Sequence, residues 1–457
     1  MSDSTLKTAS RSKGPSKDHN APLRAELFRP YVQRLAALLK ASAREGSQLK
    51  QMELDAALDG QPSQELRKLY TTDSLRNTGT YFTGSRLAHR LVSPFKPRLH
   101  NAERVVDPAC GAGDLLVACA RYLPLQSNLP STLRDWGKKL VGFDVNSAFI
   151  DATRYRLALL ALRRSRVVNG SFDESALSNL FPYIRSGSGM EDWKLPNGPS
   201  LIVVNPPFSY GEATKDCNWG SGRVSQAAAF MDSCIRNAKP GARILAILPD
   251  VLRTGTRYER WRKMVAERSH IRSVRIGGRF DELTQVNVFL LELEVADSTR
   301  ERNVSWARPV KKHQQTVKDL FNIHVGPVVP FRLDGVGSWF RYAHLETLPP
   351  WQKVHKLNQR VRFKGTTYES PFVTIRRTSK SDSRFRCVGT IVTSKGSIAI
   401  ENHLLVAIPR DKKVGTCKKL LDLLKLGATS KWMNKRICCR HLTVSSVGDL
   451  PWLEEEH

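Results

Sequence analysis

The segment Asn205-Pro206-Pro207-Phe208 carries the groups in this sequence best suited to chemistry. Two consecutive prolines cannot continue a central strand, so they mark the end of the apolar run Leu201–Val204 and stiffen the loop after it. A stiff loop fixes the Asn205 amide oxygen and the Pro206 carbonyl as neighbouring acceptors. Two acceptors can hold both N–H bonds of an aromatic amine such as that of adenine, whose lone pair is otherwise delocalised into the ring. Phe208 offers a face on which an extruded base can stack.

A second candidate site is the stretch Asp107-Pro108-Ala109-Cys110-Gly111-Ala112-Gly113-Asp114, which follows a predicted strand. Its glycines allow the backbone to pass close to a ligand. Asp144 closes the next predicted strand, and a carboxylate there can accept hydrogen bonds from the hydroxyls of a ribose. Each feature also has a structural interpretation, a tight strand-to-helix turn for the glycines and a helix N-cap for Asp144.

Apolar runs alternate with helical periodicity between residues 104 and 295, which predicts βαβ units and a mostly parallel sheet. The predicted strands are 104–106, 139–143, 201–204, 243–248, 271–276 and 286–295, and the predicted helices are 115–122, 148–164, 227–238 and 258–268. Ligands bind beyond the carboxyl ends of the strands in such sheets, and both candidate sites lie at strand ends.

The predicted sheet is flanked by two regions of different character. Residues 1–22 are rich in Ser, Lys and Pro and are expected to be a disordered tail, while residues 23–64 carry the apolar spacing of helices. From about residue 300, tryptophans punctuate short strand-like segments, which predicts a separate α+β domain. Within it, residues 390–393 and 397–400 are predicted to form a hairpin around Lys395-Gly396, followed by a strand at 404–408 and helices at 417–426 and 430–436.

Positive charge is concentrated at the C-terminal end. The chain has 72 Lys and Arg against 43 Asp and Glu, a net charge of +29. Residues 301–457 hold 28 Lys and Arg against 13 Asp and Glu, so their positive charge is about twice as dense as in the rest. This excess suits a polyanion, which charge alone does not identify as DNA, RNA or a membrane surface.

The remaining composition excludes several classes of protein. No apolar run reaches about 18 residues, so no membrane span is expected. The polar N-terminus lacks a secretory signal, and we expect the eight cysteines to be reduced thiols in a cytosol. None of them forms a C-x-x-C pair, so no zinc site or other metal centre is predicted.

Read together, these motifs resemble the N6-adenine DNA methyltransferases of bacterial restriction–modification systems. The Asp-Pro-Ala-Cys-Gly-x-Gly loop resembles that family's cofactor motif, and Asn-Pro-Pro-Phe its catalytic motif. Upstream, Thr78-Gly79-Thr80-Tyr81-Phe82-Thr83 is similar to the segment that covers the methionine end of the cofactor. This motif order matches the γ arrangement. The resemblance covers residues 65–295 well and continues more weakly beyond them.

The resemblance implies a fold, a cofactor and a set of partners. The fold would be a Rossmann-like α/β core that depends on S-adenosylmethionine, occupying residues 65–300, with the helical segment before it and residues 301–457 as a DNA target recognition domain. The substrate would be double-stranded DNA, and the location would be the bacterial cytoplasm. Such a system can also contain a separate restriction endonuclease or another defence-system subunit as a partner.

The resemblance also implies roles for individual residues. Asp107, Ala109, Gly111 and Gly113 would line the methionine and ribose of the cofactor, Asp144 would bind the ribose hydroxyls, Phe143 and Val145 would lie beside the adenine, and Tyr81, Phe82 and Thr83 would complete the pocket. Asn205, Pro206, Pro207 and Phe208 would orient and stack the target base. The expected DNA contacts are two basic clusters: Arg376, Arg377, Lys380, Arg384 and Arg386, and Lys435, Arg436 and Arg440.

One departure and several alternatives stay open at the level of sequence. The family places an acid after the third strand to hold the cofactor's adenine amine, whereas this chain offers Ser188 or Asp192 within a Gly-Ser-Gly-Met-Glu-Asp stretch. Methyltransferases that act on guanine N2 of RNA or on a protein glutamine also use an Asn-Pro-Pro motif, but they explain the basic C-terminal region less well. A DNA-binding specificity protein with an inactive methylase fold is the other alternative.

Overall fold

The computed structural model describes residues 25–43, 51–165, 176–191, 193, 201–281, 286–296, 306, 315–379, 383–438 and 440–452. The tail predicted at 1–22 lies outside these residues. The helices are α1 (Arg29–Ser42), α2 (Gln51–Leu58), α3 (Gln61–Leu69), α4 (Thr72–Thr78), α5 (Gly84–Val92), α6 (Lys96–His100), α7 (Asp114–Ala120), α8 (Leu129–Lys139), α9 (Ser147–Arg164), α10 (Leu177–Leu180), α11 (Gln226–Asn237), α12 (Asp250–Thr254), α13 (Glu259–Arg268), α14 (Val317–Leu320), α15 (Val414–Lys425), α16 (Gly427–Arg436) and α17 (Val444–Gly448). Short 3-10 helices cover Ala25–Phe28, Ser93–Phe95, Thr256–Tyr258, Pro330–Arg332 and Leu345–Thr347.

Within the described part of the chain, the strands form one large sheet and three smaller ones. They are β1 (Val105–Asp107), β2 (Leu140–Asp144), β3 (Ile184–Ser186), β4 (Leu201–Val204), β5 (Tyr210–Glu212), β6 (Arg223–Ser225), β7 (Arg243–Pro249), β8 (Ser269–Arg279), β9 (Asn287–Val295), β10 (Phe321–Val325), β11 (Ser338–Ala343), β12 (Lys353–Val354), β13 (Arg360–Phe363), β14 (Phe372–Arg376), β15 (Gly389–Val392), β16 (Ile398–Ile400) and β17 (Leu404–Pro409).

The large sheet has the strand order β3-β2-β1-β4-β7-β9-β8. Its first five strands are parallel to their neighbours, and β9 runs antiparallel to both β7 and β8. The central strands β1 and β4 are buried along their whole length, as their unbroken apolar sequences predict. The predicted α/β fold with a mostly parallel sheet is confirmed.

Helix α9 connects the sheet to the N-terminal helices. It begins at Ser147, where the Asn146 side chain accepts a hydrogen bond from the backbone N–H of Ala148 at 3.0 Å and so caps the first turn. Its side chains are buried on most sides because α1 and α2 pack on it from outside while the sheet lies within. The N-terminal helices therefore share one hydrophobic core with the large sheet.

The C-terminal region contains two sheets, with strand orders β10-β17-β14-β15-β12 and β13-β11-β16. The hairpin predicted around Lys395-Gly396 is wrong, because β15 pairs with β14 and β12 whereas β16 pairs with β11 in the other sheet. A turn does occur there, with Gly396 at φ +83°, but the two strands diverge after it. Helix α15 covers the five-stranded sheet on strands β14 and β15.

Buried polar contacts join the C-terminal region to the large sheet. Asp250, at the end of β7, accepts hydrogen bonds from the Arg253 Nε at 2.6 Å and from the backbone N–H of Cys438 at 2.9 Å. Asn287 donates to the Cys438 carbonyl at 2.7 Å. Among the described helices, none has the length and apolar composition needed to cross a membrane.

Candidate active site

The order of the strands creates a crevice between β1 and β4. From β1 the sheet continues through β2 in one direction and through β4 in the other, so the loops after β1 and β4 leave in opposite directions. Such a switch point is where open α/β sheets bind ligands. The glycine-rich loop follows β1, and Asn205 follows β4, so the topology brings the two candidate motifs to one edge of the sheet.

The glycine-rich loop is held tightly against α9 and β2. Gly113 has φ +87°, and a Cβ there would lie 2.7 Å from Thr153 Cγ2, so both its torsion and its surroundings require glycine. The Thr153 hydroxyl donates to the Gly111 carbonyl at 2.9 Å, and the Cys110 N–H donates to the Phe143 carbonyl at 2.9 Å. The loop is thus preorganised by the chain itself.

Two carboxylates lie beneath this loop. Asp107 is almost fully buried and accepts a hydrogen bond from the Ala109 N–H at 3.1 Å, and burial raises its pKa well above the usual range. Asp144 accepts from the N–H groups of Gly111 at 3.1 Å and Asn146 at 2.8 Å. Burial raises the pKa of Asp144 to about 6, and the two backbone hydrogen bonds oppose that rise.

In the Asn205 side-chain amide, the nitrogen has hydrogen-bond partners and the oxygen has none among the described residues. Its Nδ2 donates to the Tyr81 carbonyl at 3.2 Å and to the Thr83 Oγ1 at 3.0 Å. Because a carbonyl can only accept, the amide must place nitrogen on that side and direct Oδ1 the other way. Oδ1 is buried and accepts no hydrogen bond from the described residues. A buried acceptor without a donor is costly unless a ligand supplies one.

Gly79 fixes the loop after β4 against the upstream segment. Its carbonyl accepts a hydrogen bond from the Phe208 N–H at 3.3 Å. Its φ is +68°, and a Cβ there would lie 2.5 Å from the Ser209 nitrogen, closer than any real contact. The glycine therefore lets two backbone segments touch, and the catalytic loop is positioned by the segment that the sequence associates with the cofactor.

A cleft of about 630 Å³ opens between these loops. Among the residues singled out from the sequence, it is lined by Tyr81, Phe82, Ala109, Gly111, Asp144, Val145, Asn205 and Pro207. Asp107 and Thr83 lie in a small recess at its base, together with Asp114. The structure thus brings most of the predicted cofactor and catalytic residues to one cleft.

Four of the residues singled out lie beside the cleft instead of in its lining. Phe143 is buried and stacks on Trp193, with ring centroids 6.5 Å apart, so it supports the floor. Phe208 packs edge-on against Phe280 at 5.3 Å and belongs to an aromatic cluster with Tyr81. Pro206 is buried, and Gly113 precedes α7.

The cleft also contains residues that the sequence analysis missed: Asn146, Phe149, Tyr210, Gln226 and Phe230. Asn146 Nδ2 is a second buried polar atom that has no partner among the described residues. Its position two residues after Asp144 was the available signal, because a helix cap at a strand end lies at the same edge as the ligand. Tyr210 is 43% exposed, on a short hairpin of β5 and β6.

The segment after the third strand reaches the cleft as well. Gly187, Ser188 and Met190 line it, and Ser188 Oγ accepts a hydrogen bond from the Met190 N–H at 3.3 Å. Asp192, the other candidate for the adenine contact, lies outside the described residues. Ser188 is therefore the candidate that the described structure puts at the cleft.

The two basic clusters of the C-terminal region meet in space. Ser379 N–H donates to the Arg440 carbonyl at 2.9 Å, and Leu442 N–H donates to the Arg377 carbonyl at 2.7 Å. Burial lowers the pKa of His441, and the nearby charges of Arg377, His403 and Arg440 lower it further. The outward-facing members are Arg384, Lys435 and Arg440, while Arg376, Arg377 and Arg436 are half-buried.

Arg386 departs from its predicted role. It is fully buried, and its guanidinium donates to the Ser379 carbonyl at 2.8 Å and to the Ile437 carbonyl at 3.1 Å. A side chain committed to interior carbonyls cannot reach a DNA surface, so we assign Arg386 to the stability of the domain. Lys380 lies outside the described residues.

A comparison with known protein families identifies the family of this chain. Residues 65–315 match the N-6 DNA methylase family, which is more than half of the chain. The chain belongs to the N-6 DNA methylase family. The resemblance inferred from the two motifs is therefore confirmed, and the matched range contains both the glycine-rich loop and the Asn-Pro-Pro-Phe segment.

Several solved structures are similar to this chain. The type IIL restriction-modification enzyme MmeI, determined in complex with DNA, is 12% identical, with 85% of this chain and 70% of MmeI covered and a TM-score of 0.50. A modification subunit of a putative type I restriction enzyme from Vibrio vulnificus YJ016 is 19% identical, with 51% of this chain covered and a TM-score of 0.36. The chain spans 50% of the length of that subunit. A putative class I S-adenosylmethionine-dependent methyltransferase from Listeria monocytogenes is 16% identical, covers 62% of this chain and 92% of its own, and has a TM-score of 0.36.

S-adenosylmethionine is the cofactor of this N-6 DNA methylase family member, and the cleft suits it. A cleft of about 630 Å³ lies within the range of small-molecule sites. Asp144 supplies a carboxylate for hydroxyl donors, and the unpaired Asn146 Nδ2 supplies a buried donor. Phe149 and Val145 add apolar surface for an adenine ring.

Proposed function

We propose that the chain methylates the exocyclic N6 amine of adenine in double-stranded DNA, as the modification enzyme of a restriction–modification or related defence system. The observation that carries the proposal is the buried Asn205 Oδ1, which has no donor among the described residues and lies at the cofactor cleft. Membership of the N-6 DNA methylase family supports the substrate, and the fold shared with MmeI is compatible with it.

The chemistry requires a nitrogen with an available lone pair. When bound, S-adenosylmethionine supplies a methyl group on a positively charged sulfur. Asn205 Oδ1 would accept one N6–H of the target adenine, and the Pro206 carbonyl would accept the other. Both acceptors favour a more tetrahedral nitrogen, which directs its lone pair at the methyl group. Tyr81 and Thr83 hold Asn205 in this orientation before the base arrives, so no reorganisation is needed at the moment of reaction.

The base must leave the duplex to reach this amide. Tyr210 and Phe230 line the cleft near Asn205 and present aromatic surface to an extruded base, while Phe208 supports the loop from its aromatic cluster. Stacking on such rings offsets part of the cost of unpairing. The same geometry could hold a guanine N2 or a glutamine amide, so substrate class is the property to test.

The test is a transfer assay with labelled S-adenosylmethionine and the full chain. Duplex DNA, structured RNA and an unfolded protein mixture are offered separately, and Asn205→Ala serves as the matched inactive variant. We expect label in DNA alone, and none above background with Asn205→Ala. Label in RNA or protein that depends on Asn205 would replace the DNA proposal. Cofactor binding without transfer to any of the three would favour an inactive specificity protein.

A further inference from the structure

The three-stranded sheet β13-β11-β16 presents one strongly basic face. In the antiparallel pair of β11 and β13, Trp339 faces Arg362 and Arg341 faces Arg360. Directly opposed residues of an antiparallel pair point to the same side, and so do residues two apart along one strand. These four side chains therefore share one face, which we call the arginine face.

Exposure separates the arginine face from the opposite side of the sheet. Arg360 and Arg362 are exposed, and Trp339 is 55% exposed. The intervening residues Val361 and Phe363 are half-buried. A large aromatic side chain left in solvent beside arginines is unusual for a surface that only needs to be solvated.

Among the described residues, no carboxylate forms a salt bridge with Arg341, Arg360 or Arg362, the cations of the arginine face. Residues 352–364 contain two arginines and three lysines and no acid. Arg341 also donates a hydrogen bond to the backbone carbonyl of another basic residue, Lys395. Among the described residues, none of these basic side chains forms a salt bridge. Elsewhere in the same region the chain does pair its charges, as Lys318 and Arg436 do with Asp449.

Placing Arg341 opposite Arg360 costs stability. Like charges directly across an antiparallel pair repel each other. Arg341 is steadied by the Ser394 Oγ at 3.1 Å, which is a neutral partner. Charge on an edge strand such as β13 also discourages strand-to-strand aggregation, but that purpose needs neither an opposed arginine nor an exposed tryptophan.

The Trp339–Arg362 pair is preorganised. The guanidinium carbon of Arg362 lies 5.5 Å from the centroid of the indole ring, and its Nη1 also donates to the Gly335 carbonyl at 3.4 Å. A stacked arginine loses less freedom when it contacts a phosphate, because its fork is already oriented.

We propose that the arginine face is a duplex-DNA contact surface, in which Arg360 and Arg362 bind backbone phosphates and Trp339 packs against the sugar or base edge between them. This inference rests on the proposed function, because it takes duplex DNA as the substrate. It adds a surface distinct in sequence from the basic clusters at residues 376–386 and 435–440. Neutralisation by phosphates would relieve the repulsion between Arg341 and Arg360.

The test compares two full-length double variants that lose the same charge. Arg360→Gln/Arg362→Gln alters the arginine face, and Lys418→Gln/Lys419→Gln alters exposed positions on α15, which packs on the other sheet. Affinity for duplex DNA is measured from about 0.05 to 0.3 M salt. We expect the arginine-face variant to bind about tenfold more weakly or worse, and its log–log salt slope to shrink by about one unit per lost phosphate contact. The lysine variant should stay close to wild type in both.

Two further measurements separate binding from folding. Trp339→Ala should raise the KM for DNA and leave kcat at saturating DNA unchanged, and Trp339→Phe, which retains a ring, should recover most of the loss. The affinity for S-adenosylmethionine should be the same in all variants. A variant that lost cofactor affinity in parallel with DNA affinity would point to a structural defect and overturn the assignment.

The outcomes distinguish this inference from the proposed function. If wild type binds and methylates duplex DNA while the two double variants behave alike, the arginine face is not a contact surface and the proposed function stands. If wild type neither binds nor methylates duplex DNA, both fall together. If hairpin RNA binds more tightly than duplex DNA and depends on Arg360 and Arg362, the DNA assignment is overturned in favour of RNA.

Discussion

Arg156 is the buried cation that ties the N-terminal helices to the cofactor loop. It lies on α9 and is 1% exposed. Its guanidinium pairs with Asp114 Oδ1 at 2.9 Å, donates to the Ala57 carbonyl on α2 at 2.7 Å, and donates to the Ala112 carbonyl within the glycine-rich loop. Asp114 in turn accepts a hydrogen bond from the Gly84 N–H at 2.7 Å, where α5 begins. Arg156 therefore links α2 to the glycine-rich loop and, through Asp114, to the start of α5.

We expect Arg156→Met to destabilise the fold by about 3–5 kcal/mol, because removing one partner of a buried ion pair leaves the other charge uncompensated. Methionine fills most of the space of the arginine stem, so the cavity contribution is small. The matched control is Arg163→Met on the same helix, whose partner Asp55 is about half exposed. An exposed pair contributes about 0–1 kcal/mol, so the control should lie near wild type.

Urea denaturation of the full chain measures both variants, with the cofactor affinity of the folded protein as a second readout. Arg156→Met should weaken S-adenosylmethionine binding because the Ala112 carbonyl loses its anchor, whereas Arg163→Met should not. Adding Asp114→Asn to Arg156→Met should recover part of the lost stability by removing the unpaired charge. Equal stabilities for Arg156→Met and Arg163→Met would show that the buried ion pair of Arg156 contributes no more to stability than the exposed pair of Arg163.

The remaining predictions concern the cofactor cleft, the catalytic loop and the junction with the C-terminal region. Burial raises the pKa of Asp144 to about 6. If ribose hydroxyls donate to its ionised form, the dissociation constant for S-adenosylmethionine should rise about tenfold from pH 8 to pH 5. Asp144→Asn should flatten that profile in isothermal titration, and an unchanged profile would remove Asp144 from the site. Gly79→Ala should lower kcat by about 10²-fold, since its Cβ would displace the loop at Ser209, while the circular dichroism spectrum stays native. Full activity would contradict the close approach of the Gly79 and Ser209 backbones. Asp250→Ala should destabilise the chain by about 3–5 kcal/mol in urea denaturation, because Arg253 would remain buried without its carboxylate partner. A loss below about 1 kcal/mol would contradict a stabilising role for Asp250 at the junction with the C-terminal region.

Elements with strong periodicity could be predicted from the sequence almost to the residue. The helix expected at 148–164 occurs as Ser147–Arg164, and the strand expected at 201–204 occurs as Leu201–Val204. Helix α8 was missed although it has a recognisable start, since Asn128 caps it and a proline occupies its first turn. Leu129, Leu133 and Trp136 do have helical spacing in α8, but polar and charged residues fill most of the rest of this short segment, so its apolar signal is weak.

Pairing and burial could not be predicted because they depend on distant partners. Local pattern identified β15 and β16 as strands, but it could not show that the turn between them separates two sheets. Net charge marked Arg386 as a DNA contact, whereas its partners are carbonyls seven and about fifty residues away. At the active site, the sequence predicted two acceptors after β4. Only the structure shows that Tyr81 and Thr83 accept hydrogen bonds from Asn205 Nδ2, while no described residue donates to Asn205 Oδ1.

If Asn205 directs methyl transfer to the N6 amine of adenine in DNA, the identity of the methylated nucleoside will show it. The full chain is incubated with S-adenosylmethionine and unmethylated genomic DNA, the DNA is digested to nucleosides, and the methylated product is identified by mass spectrometry. We expect N6-methyl-2′-deoxyadenosine with wild type, and a yield about 10²–10³-fold lower with Asn205→Ala, whose cofactor affinity is retained. A different methylated nucleoside, such as N4-methyl-2′-deoxycytidine, or an undiminished yield with Asn205→Ala would contradict it.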